Sequence, residues 1–324
     1  MSRQEFKNSI FPRLFLFFIE ELSVSDILVV GSLAYDSIST PAGSVDRTLG
    51  GSANYFSLAA SLYAKVKVVG VVGEDYDAAD YDMLKSRGVD LEGLQRKEGM
   101  TFHWTGKYQE DMNEAQTLAT DLNVFADFNP VLPLNYRNAE YVFLANIDPV
   151  LQLRVLEQIE KPKLVGSDTM NFWISSKMDD LRKVLSKVDV LLINEGEAKQ
   201  ISKTSNAIAS AQAILKMGPK AVVVKRGEYG FVLLTQEGYF ILPAFPIAKV
   251  VDPTGAGDTF AGAFFGYLAK MDKGYDLQAL KEACVQGCLL ASFTVQEFGV
   301  GGLKKLAASE VDRRKNEYQK VTTI

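Results

Sequence analysis

Two glycines and an aspartate stand at a helix start in the stretch Asp252-Pro253-Thr254-Gly255-Ala256-Gly257-Asp258-Thr259-Phe260. The stretch joins a segment of strand composition, Pro246 to Val251, to the apolar run Phe260 to Met271. In that run Phe260, Phe264, Leu268 and Met271 keep helical spacing, while Ala261, Ala263, Phe265 and Tyr267 fill much of the rest. A helix apolar on nearly every side is a buried one. Its first turn carries unpaired N–H groups and the positive dipole end, and glycine lets the backbone approach a ligand closely. Such a place suits an anion, phosphate above all. Asp258 would repel phosphate. Beside an anion hole it makes sense as a base that takes a proton from an attacking hydroxyl. The plainer alternative is a tight turn with Asp258 as an ordinary helix cap.

Two better-known phosphate patterns fail. A P-loop needs Lys-Ser or Lys-Thr after its second glycine, where Asp258 stands. The dinucleotide fingerprint needs a third glycine, where Phe260 stands. Other polar residues collect where predicted strands end, the ligand side of an α/β sheet. Asp36 follows the first strand, Asp26 to Gly31; it could accept two hydrogen bonds from neighbouring hydroxyls of a sugar, or be a turn residue. Gly50, Gly51 and Asn54 precede a nearly all-apolar helical stretch, Tyr55 to Tyr63, with two glycines for close approach and a carboxamide that both donates and accepts. Asp168 to Trp173 follows another strand and has no assigned role.

The stretch 252–260 resembles the C-terminal signature of the ribokinase-like (PfkB-type) carbohydrate kinases. The resemblance implies that Gly255, Ala256 and Gly257 form the anion hole with their backbone and that Asp258 is the catalytic base. Gly50, Gly51 and Asn54 resemble the family's N-terminal signature, one residue shorter than the ribokinase form, which implies contact with the sugar. Gly70 to Asp75 resembles a further family element, with Ala78 where a glycine is usual; Asp75 is expected to be structural. Asn194 and Glu197 match an Asn-x-x-Glu pattern tied in the family to magnesium and phosphate. One carboxylate acting largely through water is adequate for magnesium; a helix-start carboxylate facing the dipole is the alternative. The turn from Lys225 through Gly227 to Gly230 lines the ATP site in the family. A threonine is common where Lys225 stands, and this lysine could pair with a phosphate or lie on the surface. In relatives that use potassium, the aspartate that opens the signature, here Asp252, helps hold the ion.

These residues need a scaffold. The βα alternation predicts an α/β fold with a doubly wound, mostly parallel sheet. Residues 101–128 break that rhythm. Phe102 to Tyr108 alternates like a half-exposed strand, and Gln116 to Phe128 could hold another. The resemblance implies a small β-lid from about 35–48 and 101–128 that covers the sugar and expels water. Phe102, Trp104 and Tyr108 could stack on a sugar or base, with Trp104 the expected substrate contact, or fill a lid interface in a homodimer. Residues 1–24 read as an extension outside the core, 25–310 as the kinase domain and 311–324 as a C-terminal tail.

The formal charge of −5 offers no basic patch for nucleic acid. The apolar run near the N-terminus is too short to span a bilayer. The two cysteines, Cys284 and Cys288, read as small core residues and fit a reducing cytoplasm. The expected reaction is transfer of the γ-phosphoryl of ATP, with magnesium, to a hydroxyl of a small sugar or sugar-like acceptor. A nucleoside kinase of the same superfamily and a catalytically silent ligand-binding relative are the alternatives.

Overall fold

The computed structural model describes residues 25–272 and 275–323, so the expected extension, 1–24, lies outside the described residues. Two sheets organise the chain. The larger is built from β1 (Ile27–Val30), β4 (Val66–Val72), β5 (Val89–Arg96), β8 (Tyr141–Leu144), β9 (Leu164–Ser167), β10 (Val190–Asn194), β11 (Ala221–Lys225), β12 (Phe231–Thr235) and β13 (Gly238–Leu242). The smaller is built from β2 (Ala34–Thr40), β3 (Gly43–Gly50), β6 (Phe102–Tyr108) and β7 (Ala115–Asp121). The large sheet runs β13-β12-β11-β10-β9-β8-β1-β4-β5, parallel except for the antiparallel pairs at the β12 and β13 end. Its first strand lies between β8 and β4, so the winding reverses there, and the crevice at such a switch point takes ligands.

The helices are α1 (Ser52–Ala60), α2 (Ala78–Ser86), α3 (Pro149–Leu156), α4 (Asn171–Ser176), α5 (Met178–Leu185), α6 (Glu195–Ser202), α7 (Ala207–Leu215), α8 (Ala256–Met271), α9 (Leu277–Thr294), α10 (Gly301–Lys304) and α11 (Ala308–Thr322). They cover both faces of the large sheet. Ile27 and Val29 join the core shared with α1, α8 and α9, whereas Leu28 and Val30 join the opposite core. Leu192 and Ile193 divide in the same way. Strands buried on both faces explain the unbroken apolar runs.

The structure departs from expectation in four places. Pro246–Val251 is not a strand; the strand is Gly238–Leu242, and Pro243 and Pro246 cannot donate to a ladder. α1 begins at Ser52 rather than Tyr55, because Gly51 takes φ 86 and turns the chain into the helix early. The strand Val89–Arg96 went unread: it is an edge strand, half-exposed, with Glu92 and Gly93 inside it. Residues 311–322, expected as a tail, belong to α11, whose Val311, Arg314 and Tyr318 are buried. Their spacing of three and four places them on one helix face. Arg314 donates to Ser292 and Gln296 at the end of α9, both at 2.8 Å.

The smaller sheet, expected as a lid, is drawn from residues 34–50 and 102–121. Within it β2 and β6 run parallel, and the outer pairs β2–β3 and β6–β7 run antiparallel. Asp75 ties it down. Its Oδ1 accepts from the amide and the hydroxyl of Thr101 at the start of β6, and its backbone carbonyl and carboxylate receive Arg47 of β3. His103 lies on the outer face of the lid, 2.8 Å from the Ser37 hydroxyl. Cys284 and Cys288 are free and buried, as expected of core residues.

Candidate active site

α1 and α8 run side by side in the same direction. A β-carbon at Gly262 would fall 2.2 Å from the Phe56 carbonyl, and one at Gly266 would fall 3.1 Å from Ala60 Cα, so only glycine permits this approach. The two helix starts therefore meet at the sheet's ligand edge. Gly255 caps α8 with φ 75, a conformation that glycine adopts without strain. Among the described residues, the amides of Gly255 and Gly257 have no backbone acceptor, whereas the amide of Ala256, expected in the hole, donates to the Pro253 carbonyl at 3.2 Å and that of Asp258 turns to its own carboxylate. The amides of Gly255 and Gly257 are free to face an anion.

The loop before α8 is held rigidly. Asp252 is fully buried, and its two oxygens accept from the amides of Thr254 at 2.9 Å and Gly299 at 3.0 Å. The lid reaches this loop twice: Thr40 donates to the Val251 carbonyl at 2.8 Å, and Thr254 donates to Tyr108 Oη at 3.2 Å.

Beside the anion hole sits a lysine among carboxylates. A β-carbon at Gly257 would fall 2.8 Å from Lys225 Nζ, which places the ammonium against the middle of the hole. Lys225 Nζ is 3.6 Å from Asp168 Oδ2, and only 16% of its side chain is exposed. Burial alone would lower the lysine's pKa; the charges of Asp168 and Glu197 outweigh it and leave the ammonium above its ordinary value. Burial, then the charge of Asp168, pushes the Asp258 carboxyl up to about 7. Burial and the same neighbour push Glu197 up to about 8. Asp258 is thus a carboxyl that exchanges its proton near neutral pH, the property a general base would need.

On the acceptor side Asp36 is buried, and burial together with the charges of Asp252 and Asp258 pushes its carboxyl up to about 8. A β-carbon at Gly50 would fall 1.9 Å from Asp36 Oδ2, so Gly50 makes room for that carboxylate. Asn54 lies inside α1 with its carboxamide turned inward: it donates to the Gly50 carbonyl at 2.6 Å and accepts from Tyr76 Oη at 3.3 Å. Trp104 pairs in register with Asp36 across the lid, and its ring lies along the strand over Gly106.

On the opposite side Asn194 and Glu197 cap α6 reciprocally. Asn194 Oδ1 accepts from the Glu197 amide and Glu197 Oε2 from the Asn194 amide, each at 2.8 Å. This is the helix-start geometry given above as the alternative, and it leaves Glu197 Oε1 without a hydrogen bond among the described residues. Gly227 and Gly230 both take positive φ and form the tight turn between β11 and β12. The lid hairpin, residues 109–114, extends to these loops. A β-carbon at Gly227 would fall 2.8 Å from Asn113 Oδ1, and one at Gly196 would fall 3.6 Å from Glu114 Oε1.

The site thus brings together Asp36, Gly50, Gly51, Gly255, Gly257, Asp258, Lys225 and Glu197. It also contains residues to which the sequence reading gave no role. Asp168 is one, and its place just past a strand's carboxyl end was the available signal. Gln152 is another: its Nε2 donates to the carbonyls of Leu144, Ala145 and Asp168 and so fixes the ends of β8 and β9. Magnesium fits this donor set, because it takes one or two carboxylates and keeps its waters. Among the described residues no three potential ligands gather to enclose an ion. No helix of the described residues is long and apolar enough to cross a membrane.

A model of the pfkB family carbohydrate kinases matches residues 24–305. A cytidine kinase of Thermococcus kodakarensis is 32% identical over 268 residues, which is 81% of this chain and 92% of that relative. A nucleoside kinase of Methanothermobacter thermautotrophicus is 25% identical over 307 residues, 85% of this chain and 90% of the relative. The crystal structure of Methanocaldococcus jannaschii nucleoside kinase superposes with a TM-score of 0.72 at 22% identity, covering 91% of this chain and 99% of that one. A putative ribokinase II from E. coli, in complex with ATP and Mg2+, superposes with a TM-score of 0.74 at 18% identity, covering 90% and 99%. At such identities the two structures establish the fold. The chain belongs to the pfkB family of carbohydrate kinases, and it is an ATP-dependent kinase that passes the γ-phosphoryl group to a hydroxyl of a small sugar or sugar-like acceptor.

Proposed function

We propose that the acceptor is a nucleoside, held by its sugar hydroxyls at Asp36 and covered at its base by the lid. The likeness to the cytidine kinase, which extends through 92% of that relative, carries the reading. The aromatic face of β6, with Trp104 in register with Asp36, supports it.

In this reading Asp258 accepts the proton of the attacking hydroxyl. The amides of Gly255 and Gly257 donate to the oxygens of the transferring group, and Lys225 adds a full positive charge beside them. Gly51 presents its amide to Asp36 and holds that carboxylate in place. Asn54 acts indirectly, through the Gly50 carbonyl. Glu197, with Asp168 nearby, would hold magnesium largely through water, and the ion would neutralise phosphate charge. Asn194 orients Glu197, and the turn at Gly227 and Gly230 borders the nucleotide. Asp252 serves as the staple of the signature loop through two backbone hydrogen bonds, and each of its oxygens keeps a lone pair that could also face potassium.

The outer lid strand β7 is exposed along its whole length, Leu118 included at 56%, which supports self-association through the lid. Use of ATP and two free buried thiols support a cytoplasmic setting. Incubation with ATP, magnesium and, separately, cytidine, uridine, adenosine and ribose tests the acceptor. Nucleoside monophosphate is the expected product, and phosphorylation of ribose alone would overturn the reading.

A further inference from the structure

Tyr55 stands at the fourth position of α1 and is 1% exposed, yet its hydroxyl has no hydrogen-bond partner among the described residues. Native structures rarely leave a buried hydroxyl in that state unless a ligand or water completes it. The ring has no freedom to turn away. A β-carbon at Gly255 would fall 2.3 Å from Tyr55 Cζ and 2.4 Å from both Cδ atoms, so the first residue of the anion hole lies flat on the ring. The charges of Asp36, Asp252 and Asp258 and the phenol of Tyr108 act on this hydroxyl, so these groups stand near it. Tyr108 is already engaged with Thr254, and Asp252 with two amides. Among the described residues Asp36 has only the Gly51 amide, and its side chain can do nothing but accept while ionised.

A phenol with a proton to donate and a carboxylate with room to accept therefore stand close to one another. A hydroxyl placed between them satisfies both at once, accepting from Tyr55 and donating to Asp36. We propose that Tyr55 Oη donates to the acceptor hydroxyl that Asp36 grips, and that Tyr55 thereby makes the enzyme choose acceptors bearing that hydroxyl over their deoxy counterparts. A site built to pair a hydroxyl rejects the analogue lacking it, because the buried partners are then left unpaired. The inference rests on the nucleoside reading for its choice of probe, but on the geometry of Tyr55 for its content.

The test compares wild type with Tyr55→Phe on cytidine, 2′-deoxycytidine and 3′-deoxycytidine. The variant should lose about tenfold or more in kcat/KM on cytidine, about the discrimination expected of one buried hydrogen bond. It should lose less than about twofold on one of the two deoxy analogues. Loss of an unpartnered buried hydroxyl should leave the ligand-free Tm equal or higher, while the Tm increase produced by cytidine shrinks. Equal losses on all three acceptors, or none, would overturn the proposal. If wild type phosphorylates ribose and no nucleoside, the nucleoside reading fails separately. The same comparison then runs on ribose against 2-deoxyribose, with the same outcomes deciding.

Discussion

Asp75 Oδ1 accepts two hydrogen bonds from Thr101, one from its amide and one from its hydroxyl, each at 2.6 Å. With Arg47 on its other side, this single carboxylate joins both ends of the lid to the loop after β4. Burial would raise its pKa; the Thr101 bonds and Arg47 prevail and hold it below the usual carboxylate range.

Asp75→Ala should therefore loosen the lid without touching the chemistry. Each hydrogen bond to a charged group is worth about 1.5–3 kcal/mol, so a fall in Tm should accompany the change. The acceptor KM should rise more than kcat falls, because the catalytic groups stay in place. An unchanged KM would show that the lid is held elsewhere.

Asp258→Asn should leave nucleotide binding intact and reduce turnover by about 10²–10⁴-fold, the range for a lost general base. In the native enzyme the working form is the carboxylate. kcat/KM should rise with pH through about 7, where Asp258 ionises, and level off only above about 8, where Asp36 ionises. Flat activity from pH 5 to 9 would remove Asp258 from this role.

Lys225→Met removes the cation that Asp168 and Glu197 face. Breaking a buried ion pair by deleting one partner costs about 3–5 kcal/mol. Turnover should fall by about 10²–10³-fold, as when one group that stabilises transition-state charge is lost. Adding Asp168→Asn should restore much of the stability and none of the turnover. The two measurements, denaturation and steady-state kinetics, then separate the structural role of Lys225 from its chemical one.

Stability itself should depend on pH in a direction opposite to the common one. Asp36, Glu197 and Asp258 bind protons more tightly in the folded protein than a free carboxyl does. Their contribution to stability is complete below the ordinary carboxylate range and is lost as pH rises through about 7 and 8. The Tm of ligand-free protein should thus decline from pH 5 to 8.5, and less steeply in Asp36→Asn. A Tm that climbs over that range would contradict the assignment of these groups.

Much of this was readable in the chain. Asp258 could be placed because glycine, carboxylate and a buried helix follow one another within a few residues. The large sheet could be placed because its strands are apolar on both faces. Tyr55 could not. In sequence it is one more bulky residue in a buried helix, and its meaning depends on how Gly262 and Gly266 set α8 against α1. The pairing of Lys225 with Asp168 likewise depends on the ends of two strands that flank β10, far apart in sequence. α11 escaped because just three of its residues, Val311, Arg314 and Tyr318, carry the packing, and one of them is an arginine. Pro246–Val251 misled because its composition suits a strand while its proline forbids one.

The hairpin tip at Asn113 and Glu114 rests on Gly227 and Gly196, although its strands belong to the cover over Asp36. One hairpin therefore spans from beside Asp36 to the loops after β10 and β11. Trimming it should do more than admit substrate faster. It should let stray solvent compete for the phosphoryl group, so that the shortened enzyme consumes ATP wastefully even with no sugar present.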